Sequence, residues 1–230
     1  CPVGYVCTAT GSTNPTSVIT TRGAVGVITT KLASTPIADA DIRISSMVPV
    51  YGIEVKAQGS DMIVDRVLLQ VGLTVSSSAT KPSTFITKLH AYDGSTLLRS
   101  WSLSESDFNK DSSDRYYVIA SGLNFLVPKD TSKVLTFKVD TTGVSSDQAA
   151  RVVTFQGYAG NSQNVRAVDG ANLNSYADMS GSANSRQQTF NASGNSNLTV
   201  TLNGALTPKS TNNRVHTSNG TKGLLMQSID

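Results

Sequence analysis

The fold is decided by Phe85-Ile-Thr-Lys-Leu-His-Ala-Tyr-Asp-Gly-Ser-Thr-Leu-Leu-Arg-Ser-Trp-Ser-Leu103. In this stretch two segments with strand character flank Asp93-Gly94-Ser95-Thr96. An Asp-Gly pair between two such segments is a strong hairpin signal, because both residues tolerate a positive φ. The stretch therefore predicts two antiparallel strands joined by a tight turn.

Strand character continues on both sides of this hairpin. Downstream, Leu135, Phe137 and Val139 alternate with polar residues, as in a strand with one buried face. Upstream, residues 47–56 and 62–75 also alternate, and the apolar middle of the second suits a central strand. Short strands at close spacing are typical of a β-sandwich. Further strand-like segments occupy residues 116–120, 123–128, 151–158, 198–202 and 223–229.

Composition favours strands over helices. The chain has 230 residues, of which 15% are charged, with a formal net charge of +3. Of its 16 acidic residues only Glu54 and Glu105 are Glu; the rest are Asp, which favours turns. The length fits one large all-β domain or two small ones. No Lys/Arg cluster suggests nucleic-acid binding, and no apolar run reaches the 18 residues of a membrane-spanning helix.

The chain divides into an N-terminal part, residues 1–34, and a β-sandwich, residues 35–230. The first part holds a Cys-x5-Cys segment, a polar linker at residues 8–17 and a strand-competent arm. Within the sandwich, residues 160–197 are rich in Asn, Ser and Gly, which predicts long surface loops. The apolar anchors of the arm are Val18, Val25, Val27, Ile28 and Leu32.

Two interpretations of this arm are equally open. It can add to the sheet edge of a neighbouring subunit, where main-chain hydrogen bonds give affinity and alternate side chains give register. It can also be the first strand of its own sandwich. The apolar segment Leu224–Ile229 is a second candidate for an exchanged strand.

Cys1 and Cys7 are the two cysteines of the chain. In an oxidising compartment they can close a local disulfide. Two free thiols, an intermolecular bridge and lipid attachment at Cys1 are the alternatives. The spacing is not that of a zinc site. A chain that starts at Cys1 and looks exported is expected to be a processed form or a fragment of a longer precursor.

The sequence offers little for catalysis, and we expect no enzyme, no metal and no cofactor. Its histidines are His90 and His216, and there is no Gly-x-Ser-x-Gly motif. In a strand, the side chain of His90 points to the opposite face from those of Leu89 and Ala91, so we expect it to face solvent. A catalytic Ser-His-Asp set whose members are distant in the sequence is an alternative that the sequence does not exclude. The carboxylates of Asp107, Asp111 and Asp114 are either a solvated loop or a calcium loop.

Three aromatic residues are candidates for stacking on sugars. Trp101, Tyr116 and Tyr117 each combine a flat apolar face with a polar group, as carbohydrate platforms do. Packing in the core or at a sheet edge is the alternative for each of them.

Three segments resemble a known group of proteins. Cys1-Pro-Val-Gly-Tyr-Val-Cys-Thr8 resembles a segment that recurs in exported surface proteins of ultra-small, genome-reduced bacteria, the Patescibacteria. Leu89-His-Ala-Tyr-Asp-Gly-Ser-Thr-Leu-Leu98 and Val127-Pro-Lys-Asp-Thr-Ser-Lys-Val-Leu-Thr-Phe-Lys-Val-Asp140 resemble the hairpin and penultimate strands of their immunoglobulin-like β-sandwich domains. The resemblance covers residues 1–142. It implies an immunoglobulin-like sandwich at the cell surface, of S-layer-like or appendage type, and carries over no catalytic residues.

These features predict a structural subunit of an extracellular filament or surface layer, assembled by strand addition between subunits. Its partners would be copies of itself, and head-to-tail joining of unlike surfaces makes an open filament when the rotation does not close. The alternative is a carbohydrate-binding or cell-wall-binding module, or an adhesin that meets a partner cell through residues 160–197. No membrane span is expected in either case.

Overall fold

Thirteen strands dominate the computed structural model, which describes residues 18–73, 81–142, 144 and 151–191. All of these residues belong to the first of two compact units, Cys1–Gly194. The second unit, Asn195–Asp230, is not among the described residues. The described residues form an all-β sandwich, as predicted, and contain no α-helix. They therefore include no helix that could cross a membrane. The strands are β1 Val27–Leu32, β2 Ala40–Ile42, β3 Ser45–Gln58, β4 Met62–Leu73, β5 Ile86–Asp93, β6 Thr96–Ser102, β7 Asn109–Lys110, β8 Tyr116–Val127, β9 Ser132–Thr141, β10 Arg151–Gly157, β11 Val165–Val168, β12 Asn174–Ala177 and β13 Arg186–Phe190.

The first sheet has five antiparallel strands in the order β1-β3-β9-β5-β6. The predicted hairpin joins β5 to β6 at one edge. Its last paired residues are Asp93 and Thr96, and Gly94 in the turn has a φ of 57°. The left-handed backbone at Gly94 is what the Asp-Gly signal anticipates.

The second sheet is built around β4. On one side β8 runs along almost its full length, with β7 beyond. On the other side β11 pairs with the first half of β4, from Ile63 to Val67, and β10 with the second half, from Leu69 to Leu73. Strand β12 continues from β11, whereas β13 and the parallel strand β2 continue from β10. Strands β12 and β2 thus lie toward opposite ends of β4.

The core lies between the two sheets. Leu135, Phe137 and Val139 are all buried, so the predicted alternation in β9 is confirmed. Phe125 of β8 and Phe155 of β10 fill the facing side. Full burial of a side chain of this size is worth about 1.5 to 3 kcal/mol, which makes this layer the main source of stability.

Residues 160–197 differ from the prediction of long loops, because β11, β12 and β13 lie there. The reason is visible at Gln188 of β13, which is fully buried. Its amide nitrogen donates to Ile37 O at 2.9 Å and its amide oxygen accepts from Ala40 N at 3.2 Å. A hydrogen-bonded Gln takes a place where the sequence pattern requires an apolar residue. The strand-like residues 198–202 and 223–229 lie outside the described residues.

Candidate functional site

The predicted strand arm is the edge strand of the chain's own first sheet. Strand β1 pairs with β3 from Val27 opposite Gln58 to Leu32 opposite Ile53. Ile28 is buried and Leu32 packs against the core, while Val18, Val25 and Val27 are exposed. Of the two interpretations, the structure shows the second: residues 27–32 are an edge strand of the chain's own sandwich.

Asp61 fixes the segment that precedes β1. Its carboxylate accepts hydrogen bonds from the Thr20 amide and hydroxyl, both at 2.7 Å, and from the amides of Thr21 and Lys129 at 3.3 and 2.8 Å. Burial of Asp61 raises its pKa, but these bonds outweigh burial and hold the pKa at about 2. A carboxylate that is satisfied in this way anchors residues 20 and 21 to the start of β4.

Asp169 continues the anchoring toward β12. One of its oxygens accepts the amide of Gly26 at 2.9 Å, and the other accepts the amides of Ala171 and Leu173. The Ile28 amide then donates to Ser175 Oγ of β12 at 3.0 Å. These bonds join β1 of the first sheet to β12 of the second along one border of the sandwich.

Exposed apolar side chains flank these bonds. Val25 and Val27 are 63% and 53% exposed, and Leu173 and Tyr176 are 53% and 38% exposed. We call these four residues the first apolar patch. Sequence reasoning identified Val25 and Val27, but not Leu173 and Tyr176, which lie in the stretch predicted to be loops.

Two further exposed apolar residues lie before and after β2, and together we call them the second apolar patch. Ile37 and Ile44 are 69% and 63% exposed. The segment that precedes β2 is held in place, because the Arg186 guanidinium donates to Pro36 O at 2.8 Å and to Ala33 O at 2.7 Å. Since β2 belongs to the group of strands on the second half of β4 and β12 to the group on the first half, the two patches lie toward opposite ends of the strands.

The three candidate sugar-stacking residues do not form one platform. Trp101 lies in β6 of the first sheet, whereas Tyr116 and Tyr117 lie in β8 of the second. Each ring already has a neighbour on a face: Arg99 Cζ lies 5.9 Å from the Trp101 ring centre and Lys110 Nζ 5.6 Å from that of Tyr116. Tyr117 stacks on Tyr158, with centroids 4.0 Å apart. Trp101 and Tyr116 also pack against the core.

The acidic loop uses its carboxylates internally. Asp107 accepts the Ser104 amide at 2.7 Å, and Asp114 pairs with Lys110 at 2.7 Å. Asp111 accepts the amides of Ser113 and Arg115, the Arg115 guanidinium and the Tyr158 hydroxyl. The Arg115 amide is the largest of the causes that lower the pKa of Asp111, to about 2. Among the described residues no three His, Cys, Asp or Glu side chains group as metal ligands.

His90 is 3% exposed, so the expectation of a solvent-facing side chain is wrong. Its Nδ1 forms a hydrogen bond with Ser100 Oγ, and its Nε2 lies 3.1 Å from Asp140 Oδ1. These neighbours and the adjoining strands cover the ring. The candidate disulfide residues Cys1 and Cys7 lie outside the described residues, as does His216.

No protein-family model matches the chain, and no curated protein matches its sequence. The solved structures that are similar to it include the following two. One is the enzyme AvmM, described as catalysing macrocyclization in alchivemycin A biosynthesis: 10% identity, 74% of this chain and 92% of that chain, TM-score 0.33. The other is a cohesin module from a Clostridium perfringens family 33 glycoside hydrolase: 12% identity, 74% and 98% coverage, TM-score 0.32. At this level of similarity neither bears on the function of this chain.

Proposed function

We propose that the chain is a structural subunit of an extracellular filament or surface layer, in which copies join head to tail through the two apolar patches. The observation that carries the proposal is the position of the patches. Val25, Val27, Leu173 and Tyr176 lie toward one end of β4, and Ile37 and Ile44 toward the other. Contact between unlike surfaces at opposite ends repeats indefinitely unless the rotation closes a ring.

Burial of the patches supplies the driving force. Grouped exposed apolar side chains often mark protein–protein interaction sites, whereas single ones are ordinary on a protein surface. Each Å² of apolar surface removed from water is worth about 25 cal/mol. Several half-exposed Val, Ile, Leu and Tyr side chains that meet across one contact therefore favour association, and many repeated contacts stabilise a polymer.

Strand addition remains part of the proposal, with a different strand from the one the sequence suggested. Because β1 is paired with β3 and also lies against β12, a suitable edge for an incoming strand is that of β2, the last strand of the second sheet, which pairs on one side with β13. An edge strand presents main-chain N–H and C=O groups to a partner. The β2 edge adjoins the second apolar patch, so hydrogen bonding and apolar burial would occur in the same contact.

Substitution of the first patch tests the proposal. The double variant Val27→Lys/Tyr176→Lys places two charges in the contact while changing only exposed side chains. We expect the unaltered chain to form high-molecular-weight species by light scattering and filaments or sheets by electron microscopy, and the double variant to stay monomeric. Burial of an unpaired ammonium group in such a contact is strongly unfavourable.

Ile119→Lys is the matched control. Ile119 is 44% exposed on β8, on the other side of β4 from both patches. This variant should assemble like the unaltered chain. Assembly of Val27→Lys/Tyr176→Lys, or an equal loss of assembly in Ile119→Lys, contradicts the proposal.

A further inference from the structure

Three neighbouring strands of the first sheet bring together a serine, a histidine and an aspartate. Ser100 of β6 pairs with His90 of β5, and β5 pairs with β9, which carries Asp140. Ser100 Oγ and His90 Nδ1 form a hydrogen bond, and His90 Nε2 lies 3.1 Å from Asp140 Oδ1. The imidazole thus lies between a hydroxyl and a carboxylate, the arrangement that activates a serine for nucleophilic attack.

The exposure of the three residues suits such chemistry, which requires an accessible nucleophile and a shielded base. Ser100 is exposed, His90 is buried, and the side chain of Asp140 is 18% exposed. A substrate can reach the hydroxyl, whereas the base behind it is shielded from water. Neither the core nor the proposed assembly contact accounts for a buried histidine between these two partners.

Asp140 is held in place by groups other than His90. Its Oδ1 accepts the Met47 amide at 2.8 Å, and its Oδ2 lies 3.7 Å from Lys88 Nζ. Partial burial raises the pKa of Asp140, but the Met47 amide, His90 and Lys88 together lower it below its ordinary value. The carboxylate is therefore ionised at neutral pH and can stabilise positive charge on the imidazole.

The backbone at Ser100 is also suitably placed. The Leu103 amide donates to Thr87 O at 2.8 Å, so these two opposite residues form a hydrogen-bonded pair of the antiparallel ladder. Hydrogen-bonded and non-hydrogen-bonded pairs alternate along such a ladder. His90 and Ser100, three positions along, therefore form a non-hydrogen-bonded pair. In such a pair the side chains are close and both amides point away from the partner strand. Because β6 is the last strand of its sheet, the Ser100 N–H points toward the sheet edge, where it can donate to a developing oxyanion.

We propose that Ser100 is a reactive nucleophile that accepts an acyl group from an activated ester, with His90 as its general base and Asp140 as a positioning residue. Ser100 Oγ forms a bond to the carbonyl carbon while its proton passes to His90 Nδ1. The bond from that carbon to the leaving group then breaks, and the leaving group takes the proton from His90. Water hydrolyses the resulting ester by the same steps and restores Ser100.

The two imidazole nitrogens exchange their usual roles in this site. In the common triad Nε2 faces the serine and Nδ1 the aspartate, whereas here Nδ1 faces Ser100. Either nitrogen can act as base when the other carries the proton. The Nε2–Asp140 contact is short but not aligned as a hydrogen bond, as is common in sites without substrate.

Labelling with a fluorophosphonate tests the proposal, because the probe forms a P–O bond with an activated serine and releases fluoride. Ser102 is the internal reference: it is an exposed serine on the same strand, and it pairs with Lys88 instead of a histidine. After partial reaction, mass spectrometry of peptides should place the label on Ser100 at least about 100-fold faster than on Ser102, the usual range of general-base assistance. Equal labelling of the two serines, or no label at Ser100, overturns the proposal.

Variants separate the roles of the partners. His90→Gln should reduce labelling of Ser100 to the rate at Ser102, with the folded state verified by circular dichroism. Asp140→Asn should slow labelling of Ser100 while the protein stays folded by circular dichroism, and Asp140→Glu should restore part of the rate, which a purely structural role would not do. Full labelling in folded His90→Gln contradicts the role of His90. Because the comparison of Ser100 with Ser102 uses the unaltered chain, it decides the proposal even if a variant does not fold.

Discussion

Asp61 is a main anchor of the residues that precede β1. Four donors from Thr20, Thr21 and Lys129 converge on its carboxylate, which is 4% exposed. In Asp61→Asn an amide group replaces one accepting oxygen and the charge is lost. Hydrogen bonds to charged groups contribute about 1.5 to 3 kcal/mol each, so we expect the free energy of unfolding to fall by about 2 kcal/mol in urea titrations at neutral pH.

Asp114→Asn is the control for this substitution. Asp114 has a side chain that is 83% exposed and a φ of 60°, a backbone conformation that Asn tolerates. Its surface ion pair with Lys110 is worth little, so the free energy of unfolding should change by less than about 0.5 kcal/mol. Equal effects of the two substitutions would show that Asp61 is not an anchor.

The same carboxylate predicts a dependence of stability on pH. The pKa of Asp61 is about 2 in the folded chain and 3.8 ordinarily. A group whose pKa is lowered by folding contributes stability that is fully present above its ordinary pKa and is lost as the pH falls toward its folded pKa. Between pH 3.8 and 2 the unaltered chain should therefore lose stability more steeply than Asp61→Asn in urea titrations. Parallel curves for the two proteins would contradict the assignment.

Sequence alone indicated part of this at the residue level. The excess of Asp over Glu pointed correctly to many turns, and Asp107 does bind the main chain of its own turn. It could not show which Asp is buried, because the donors to Asp61 lie 41 and 68 positions away in the chain. His90 was misjudged for the same reason, since Asp140 approaches it from a strand 50 positions later.

At the level of elements, β1 is the strand whose pairing matters most for the proposed assembly. The Ala33 amide donates to Gly52 O, whereas the Ile28 amide points the other way, to Ser175. Amides alternate along a strand. The Thr29 amide therefore faces β3, and that of Thr30 faces outward.

Proline at these two adjacent threonines gives a matched test of the pairing. Thr29→Pro removes a hydrogen bond of the ladder, whereas Thr30→Pro places the ring on the outward side, where edge strands tolerate it. We expect Thr29→Pro to have a free energy of unfolding lower than that of Thr30→Pro by at least about 1 kcal/mol. Equal stability of the two variants, measured by urea titration, would show that β1 does not pair with β3.

Element prediction succeeded where apolar alternation and turn chemistry agreed. Leu135, Phe137 and Val139 identified β9, and Asp93-Gly94 identified the β5–β6 hairpin. It failed for β13, whose Arg186-Gln-Gln-Thr-Phe190 is mostly polar. Gln188 is buried there because its amide is hydrogen-bonded to residues about 150 positions away, a tertiary effect that no local pattern contains.

For the whole molecule, the important property is that its two apolar patches are different surfaces. Sequence reasoning found Val25 and Val27 but could not find Tyr176, Ile37 or Ile44 as their counterparts. Exposure of an apolar residue is not a local property, since it depends on which strands the fold leaves at the border. The sequence thus suggested assembly in general, whereas the direction of the proposed contact follows from how β10 and β11 share β4.

Mixing two blocked variants distinguishes head-to-tail joining from a symmetric contact. Val27→Lys/Tyr176→Lys keeps only the second patch, and Ile37→Lys/Ile44→Lys keeps only the first. If unlike patches join, neither variant assembles alone, but an equimolar mixture forms a dimer with one copy of each, because each copy supplies the surface that the other lacks. If the first patch joined itself, Ile37→Lys/Ile44→Lys would dimerise alone and the mixture would add nothing. Analytical ultracentrifugation of the two variants, separately and mixed, reads these outcomes as sedimentation of monomer or dimer.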